Sequence, residues 1–214
     1  MNLDSQPFAD LLNASLARAG LTPLNSMDAA LLKQFETYLS LILRWNARIN
    51  LTSVRDEHGI ITRHFVESIA CARALPAGIS TLLDFGSGAG FPGIPIALCR
   101  PEIAVTLAES QGKKAAFLQE AVRTLRISAK VHPQRAELLA APFDCVVLRA
   151  VDRMPRAVAA AAQLVALGGF LALMSTGKEI DSLEEAAGER FAQFRRIPLI
   201  GSADRLLALG ARGR

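Results

Sequence analysis

The sequence predicts an α/β fold, a mostly parallel sheet covered by helices on both faces and preceded by a helical lead-in. Three observations predict it. From residue 79 onward, short apolar runs alternate with longer amphipathic stretches, the pattern of strand–helix–strand units. The apolar runs are nearly continuous, which marks strands buried on both faces. Residues 1–75, by contrast, carry only helical spacing. The 214 residues, 51% of them hydrophobic, suit one such domain with a modest appendage. We therefore expect a helical extension over residues 1–75 and an α/β domain over residues 76–214.

The elements follow in order. Residues 8–19 (FADLLNASLARA) place their apolar positions on one helical face, and Gly20 stops that helix. Ser26 is a candidate cap for a helix from Met27 to about Arg48, with Leu31, Leu32, Phe35, Leu39, Ile42, Leu43 and Trp45 as its buried stripe. After the extended or turn segment INLTSVRD, Asp56 can cap a third helix through Ile60, Ile61, Phe65, Ile69 and Ala72, which Pro76-Ala77-Gly78 breaks. Strand Ile79–Phe85 leads to a helix over Gly93–Cys99, and strand Ile103–Ala108 to a helix over Lys113–Leu125. Strands are expected at Ser128–His132 and Phe143–Leu148, an apolar helix at Val158–Leu167, a turn at Gly168-Gly169 and a strand at Phe170–Met174. A helix over residues 181–193 and two weaker strands near Phe194–Ile200 and Leu206–Leu209 close the chain.

The stretch Thr81 to Pro95, TLLDFGSGAGFPGIP, organises the rest. An apolar strand ending in a glycine-rich turn and a helix start is what a nucleotide-type cofactor needs to approach a backbone closely. Gly88-Ala89-Gly90-Phe91-Pro92-Gly93 also spells the G-x-G-x-x-G of dinucleotide enzymes, but the strand stops at Phe85, so the register from Gly86 is G-x-G-x-G. Asp84 stands at the strand end, where a carboxylate would repel a pyrophosphate but can hold a cationic ligand. S-adenosylmethionine carries a sulfonium, an ammonium and no phosphate, and fits the stretch better. Glu109, ending the second strand about 20 residues on, can accept both ribose hydroxyls of an adenosine ligand.

Composition narrows the class. No apolar run approaches the roughly 18 residues of a membrane span, and the segment MNLDSQPFADLLN has no basic n-region, so neither a membrane protein nor a secretory signal is expected. Cys71, Cys99 and Cys145 are widely spaced in apolar surroundings, which argues for buried thiols in a reducing cytoplasm. His58, His64 and His132 show no ligand spacing, and no metal site is expected. The net charge of +4 permits a polyanionic partner without demanding one.

Several stretches together resemble the bacterial 16S ribosomal RNA guanine-N7 methyltransferases of the GidB/RsmG family: WNARINLTSVRD (45–56), RHFVESI (63–69), LLDFGSGAGFPGIPIA (82–97) with RPE (100–102), and TLAESQGKKAAFL (106–118). Weaker matches follow at QRAE (134–137), FDCVVLRA (143–150) and DRLL (204–207). The resemblance implies a Rossmann-like class I methyltransferase sheet of seven strands, the last antiparallel, with helices added at the N-terminus. It places S-adenosylmethionine on Gly86, Phe91, Ala136, Glu137 and Arg149, which Asp84, Gly88, Gly90 and Glu109 join by the general logic of methyl-donor sites. Where relatives often carry Lys-Gly after the fifth strand, this chain reads Met174-Ser175-Thr176-Gly177-Lys178, so its lysine is displaced.

The implied reaction suits the residues present. Guanine N7 carries an in-plane lone pair and no proton, so its methylation needs no base at the attacked atom. Arg149, expected at the end of the fourth strand, can hydrogen-bond guanine O6 or a neighbouring phosphate. A surface strand-end arginine is the competing reading of that residue. Arg63, Arg135, Lys178 and Arg205 are candidate RNA contacts at the mouth, and Arg44, Arg48 and Arg55 could extend the track. Aromatics make up only 6% of the chain, so RNA binding should rest on the backbone and depend on salt. His64 and Trp45 read as structural residues. The expected partner is 16S ribosomal RNA or the small ribosomal subunit and the expected product S-adenosylhomocysteine, with the protein a cytoplasmic monomer. The alternative is a methyltransferase acting on a small molecule or a protein.

Overall fold

A computed structural model of the protein describes residues 8–24, 28–199 and 204–213. Helices α1 (Phe8–Arg18) and α2 (Ala29–Asn46) open the chain, followed by one continuous helical rod assembled from α3 (Glu57–Gly59), a π-helical turn (Ile60–Phe65) and α4 (Val66–Ala74). Asp56 caps the rod as expected, its Oδ1 accepting from the Gly59 N–H at 2.7 Å. The π-helical turn was not expected from the sequence, which carries no glycine or proline there to mark it. The proposed Ser26 cap and the helix start at Met27 lie outside the described residues, as does Ile200 at the end of the expected sixth strand.

Seven strands form one sheet: β1 (Thr81–Phe85), β2 (Ala104–Ala108), β3 (Ala129–His132), β4 (Phe143–Arg149), β5 (Val165–Thr176), β6 (Phe191–Pro198) and β7 (Arg205–Arg212). Their spatial order is β3-β2-β1-β4-β5-β7-β6, and only β7 runs antiparallel to its neighbours. Helices α5 (Gly93–Cys99), α6 (Gly112–Leu125), α7 (Met154–Gln163) and α8 (Gly177–Ala187) make the crossovers. The strand order reverses between β1 and β4, so their carboxyl ends flank a crevice, the usual ligand position in such sheets.

Side chains alternate across the sheet. On one face Leu82, Val105, Leu107 and Val147 join Leu12, Phe35, Tyr38, Ile42, Ile61 and Phe65 in one apolar cluster. On the other, Leu83, Phe85, Val146 and Leu148 pack with Val158 and Ala161 of α7 and Ile180 and Leu183 of α8. The helical lead-in therefore shares its core with the sheet and forms one of its two covering layers.

Two helices differ from expectation at both ends. The helix expected over Val158–Leu167 begins at Met154, with Pro155 in its first turn, and ends at Gln163. Strand pairing claims the residues after it: Val165 pairs with Phe143, and Phe170 with Cys145, so Gly168-Gly169 forms an irregularity inside β5. The helix expected over 181–193 starts at Gly177 and ends at Ala187, because Gly188 terminates it and Phe191 already pairs with Arg212 of β7.

Candidate active site

A cavity of about 780 Å³ opens at the β1–β4 crevice. Its floor is the loop after β1, which the backbone ties down: the Gly86 and Ser87 N–H groups both donate to Ala108 O, at 3.0 and 2.9 Å. Gly88 has φ +56°, and a Cβ there would meet nothing nearer than Gly86 O at 3.9 Å, so the space above it is open to a ligand. Its N–H donates to Glu109 Oε2 at 3.0 Å, while Glu109 Oε1 accepts from the Gln111 N–H at 2.7 Å. Each carboxylate oxygen keeps a second lone pair, enough for a pair of ribose hydroxyls. Ala136 and Glu137, in a 3₁₀ turn (Ala136–Leu138) after β3, line the far wall, Ala136 buried and Glu137 exposed.

The structure brings Gly86, Gly88, Phe91, Glu109, Ala136, Glu137 and Arg149 to this one cavity. Asp84 and Gly90 do not line it. Strand alternation turns Asp84 to the face of Leu82, beneath the start of α5, where its Oδ2 accepts from the Gly93 N–H at 3.0 Å. Burial pushes its carboxyl up to about 7, against the lowering effect of the Gly93 amide, and Oδ1 is buried without a partner. The direct hold on a cationic ligand that the sequence suggested is thus not the geometry found. Gly90 serves packing: at φ +89°, a Cβ would lie 2.5 Å from Ile94 Cδ1 and 2.7 Å from Tyr38 Oη. That hydroxyl donates to Ala89 O at 2.6 Å and joins the helical lead-in to the loop.

Arg149 ends β4 and is no surface arginine, being 8% exposed. Its Nη2 lies 2.7 Å from Glu67 Oε2, 3.0 Å from Arg63 O and 3.0 Å from His64 Nδ1, three acceptors sharing its two N–H groups. Because a guanidinium can only donate, His64 Nδ1 must accept, which leaves the ring proton on Nε2, facing Thr52 Oγ1 at 2.8 Å. Burial, followed by the charges of Arg149, Arg63 and Arg205, presses His64 down to about 3. The ring is neutral and spoken for at both nitrogens, as its structural reading expected. Phe91 lies between the His64 and Tyr38 rings, at 4.7 and 5.4 Å, with the Arg149 guanidinium 5.9 Å from its centroid.

Of the expected RNA contacts, Arg63, Arg135 and Arg205 line the cavity. Lys178 is exposed on the first turn of α8 and does not. Arg44 pairs with Glu120, Arg55 donates to Asn50 at 2.9 Å, and Arg48 is exposed, all outside the cavity. Trp45 packs edge-on against Phe117 and donates to Glu120, holding α2 to α6. The sequence reading missed Lys114, Arg153 and Arg156 in the cavity wall and Glu67 behind Arg149. Ala150 and Arg153 both have φ +51°, and no glycine marks either turn in the sequence. Among the described residues, no helix is long and apolar enough to cross a membrane, and no cluster of His, Cys, Asp or Glu is placed to hold a metal.

A glycine loop with open space above its central residue and a bidentate acid one strand away fit S-adenosylmethionine. Seven strands with only β7 reversed, joined to that loop and acid, define a class I methyltransferase dependent on this cofactor. Solved structures agree on the fold. A predicted O-methyltransferase from Agrobacterium tumefaciens superposes with TM-score 0.59 at 20% identity, covering 71% of this chain and 81% of that one. The S-adenosylmethionine-dependent methyltransferase SibL superposes with TM-score 0.60 at 15% identity over 97% of this chain and 74% of its own. The GidB family model, rRNA small subunit methyltransferase G, matches residues 31–201. Ribosomal RNA small subunit methyltransferase G of Xanthomonas axonopodis pv. citri is 43% identical over 152 residues, 70% of this chain and 71% of the relative. That of Roseiflexus castenholzii is 43% identical over 154 residues, 68% and 66% of the two chains. The chain belongs to the rRNA small subunit methyltransferase G family.

Proposed function

We propose that the protein transfers the methyl group of S-adenosylmethionine to N7 of a guanine in 16S ribosomal RNA, as a monomer in the cytoplasm and without a metal ion. The observation that carries this reading is a cavity equipped for methyl transfer whose wall gathers Arg63, Lys114, Arg135, Arg153, Arg156 and Arg205 against the carboxylates Glu109, Glu137 and Asp152. Both oxygens of Glu109 hold backbone amides, and both nitrogens of His64 are engaged. An exocyclic amine would have to lose a proton on methylation, whereas N7 has none to lose. When bound, S-adenosylmethionine supplies an electrophilic methyl group on a sulfonium and leaves as S-adenosylhomocysteine.

This chain's residues orient and screen. Gly86, Gly88, Phe91, Glu109, Ala136 and Glu137 would hold the cofactor, and Arg149 would hold the base through O6 or an adjacent phosphate. Alignment of that kind contributes about 7–11 kcal/mol in favourable cases. Arg63, Arg135 and Arg205, with Lys114, Arg153 and Arg156, give the cavity wall an excess of positive charge suited to an RNA backbone. Lys178, outside the cavity, would meet RNA only farther along the strand. That excess favours RNA over the alternative of a small-molecule or protein substrate.

Methyl transfer to naked 16S RNA and to small ribosomal subunits, mapped by borohydride–aniline cleavage at N7-methylguanine, tests the proposal. One cleavage site, with activity retained in EDTA, is expected. Incorporated methyl groups that give no cleavage would refute N7 as the target.

A further inference from the structure

We infer that Glu67, contributed by the helical extension, is a positioning residue for methyl transfer, its carboxylate fixing the guanidiniums of Arg149 and Arg205 against the cavity. The inference rests on the reading of Arg149 as the residue that faces the base. Three elements meet at this carboxylate. Glu67 stands at the second position of α4, Arg149 ends β4 and Arg205 begins β7. Glu67 Oε2 accepts from Arg149 Nη2 at 2.7 Å and from Arg205 Nε at 3.1 Å, and its side chain is 2% exposed.

The sheet alone does not bring the two arginines together, because β5 lies between β4 and β7. The carboxylate does, reaching over the strand ends from the opposite layer. The π-helical turn just before α4 adds two more acceptors for the same guanidinium nitrogen, Arg63 O and His64 Nδ1. Anchoring one guanidinium nitrogen among three acceptors restricts how the group can turn, as recognition of a base or phosphate demands.

Charge points the same way. Here two guanidiniums share one buried carboxylate and His64 is neutral, so the cluster keeps net positive charge where it borders the cavity. Such a surplus is costly without an anion or an electron-rich atom to meet it, and RNA brings both.

The test uses the full chain with 16S RNA and compares Glu67→Gln, Glu67→Asp and Arg149→Ala. Glu67→Gln should lower kcat by roughly tenfold or more, with KM for RNA and affinity for S-adenosylhomocysteine each within about threefold of the parent. Glu67→Asp, which keeps the charge, should recover kcat to within about threefold. If Glu67→Gln does not fold, the double variant Glu67→Gln with Arg205→Gln removes one charge of each sign and should show the same loss of kcat. Full turnover in Glu67→Gln or in the double variant, alongside a crippled Arg149→Ala, would overturn the inference and leave the role of Arg149 standing. A parallel fall of kcat, cofactor affinity and melting temperature would reduce Glu67 to a folding residue. Full turnover in Arg149→Ala would remove the reading of Arg149 beneath it, and this inference too.

Discussion

The Gly88 N–H donates to Glu109 Oε2 at 3.0 Å, so the loop after β1 and the acid ending β2 form one hydrogen-bonded unit. The acid is therefore aimed before any ligand arrives. Glu109→Ala strands the Gly88 and Gln111 amides and, on the proposed reading, removes the acceptor for ribose hydroxyls. Affinity for S-adenosylhomocysteine should weaken by about 1–3 kcal/mol. Calorimetry on a folded variant checks this, and unchanged affinity would remove Glu109 from the cofactor site.

The neighbouring glycines should separate binding from folding. Gly88→Val places its side chain in the open space above the loop but at φ +56°, so the fold should form at a cost of about 1–3 kcal/mol while cofactor binding is lost. Gly90→Ala drives a Cβ against Ile94 and Tyr38 at a positive φ, and should cost at least about 2 kcal/mol of stability. Urea denaturation and calorimetry on both variants measure the contrast. Normal cofactor binding by a folded Gly88→Val would remove the loop from the cofactor site.

On the proposed reading, Arg149 supplies orientation and charge, not proton transfer. Arg149→Ala should lower turnover ten- to a thousandfold, roughly 1.4–4 kcal/mol of transition-state stabilisation. Arg149→Lys keeps the charge but loses the planar group whose one nitrogen meets Glu67, Arg63 and His64 while the rest stays free for the base, and should recover little. Single-turnover rates decide, and full activity in the lysine variant would show that geometry there is unimportant.

His64 should mark stability against pH. Its folded value of about 3 lies below the ordinary 6.5, so the unfolded chain binds the extra proton between the two. The stability it contributes is complete above pH 6.5 and is lost as pH falls toward about 3. Asp84 acts in the opposite sense: raised from 3.8 to about 7, its contribution is complete below the lower value and lost as pH rises through the upper. His64→Gln should therefore flatten the acid limb of the stability curve by up to one proton. Urea denaturation across that range measures it, and an unchanged slope would show that the ring is protonated in the folded state.

Much of this protein is local, and local features were legible. The apolar runs located every strand, the glycine register separated a methyl-donor loop from a dinucleotide fingerprint, and Asp56 marked a helix start that the structure keeps. Periodicity did not resolve the end of α7, since the alanine-rich helix runs into an apolar strand and only pairing with Phe143 decides where one stops. The side of the sheet on which Asp84 falls depends on strand alternation and on α5 lying over it. The cluster of Glu67, His64, Arg149 and Arg205 joins residues 138 positions apart through a carboxylate whose neighbours in sequence say nothing of its partners. By itself the sequence determined the elements, and pointed to the glycine-rich loop and the acid that hydrogen-bonds it, because each depends on neighbours within a few residues or on one strand–turn–helix unit. Tertiary structure alone decided which charges are buried, which nitrogen of His64 carries the proton and what holds Arg149 in place, because desolvation and ion pairing depend on elements that meet only when the helical lead-in closes over the sheet.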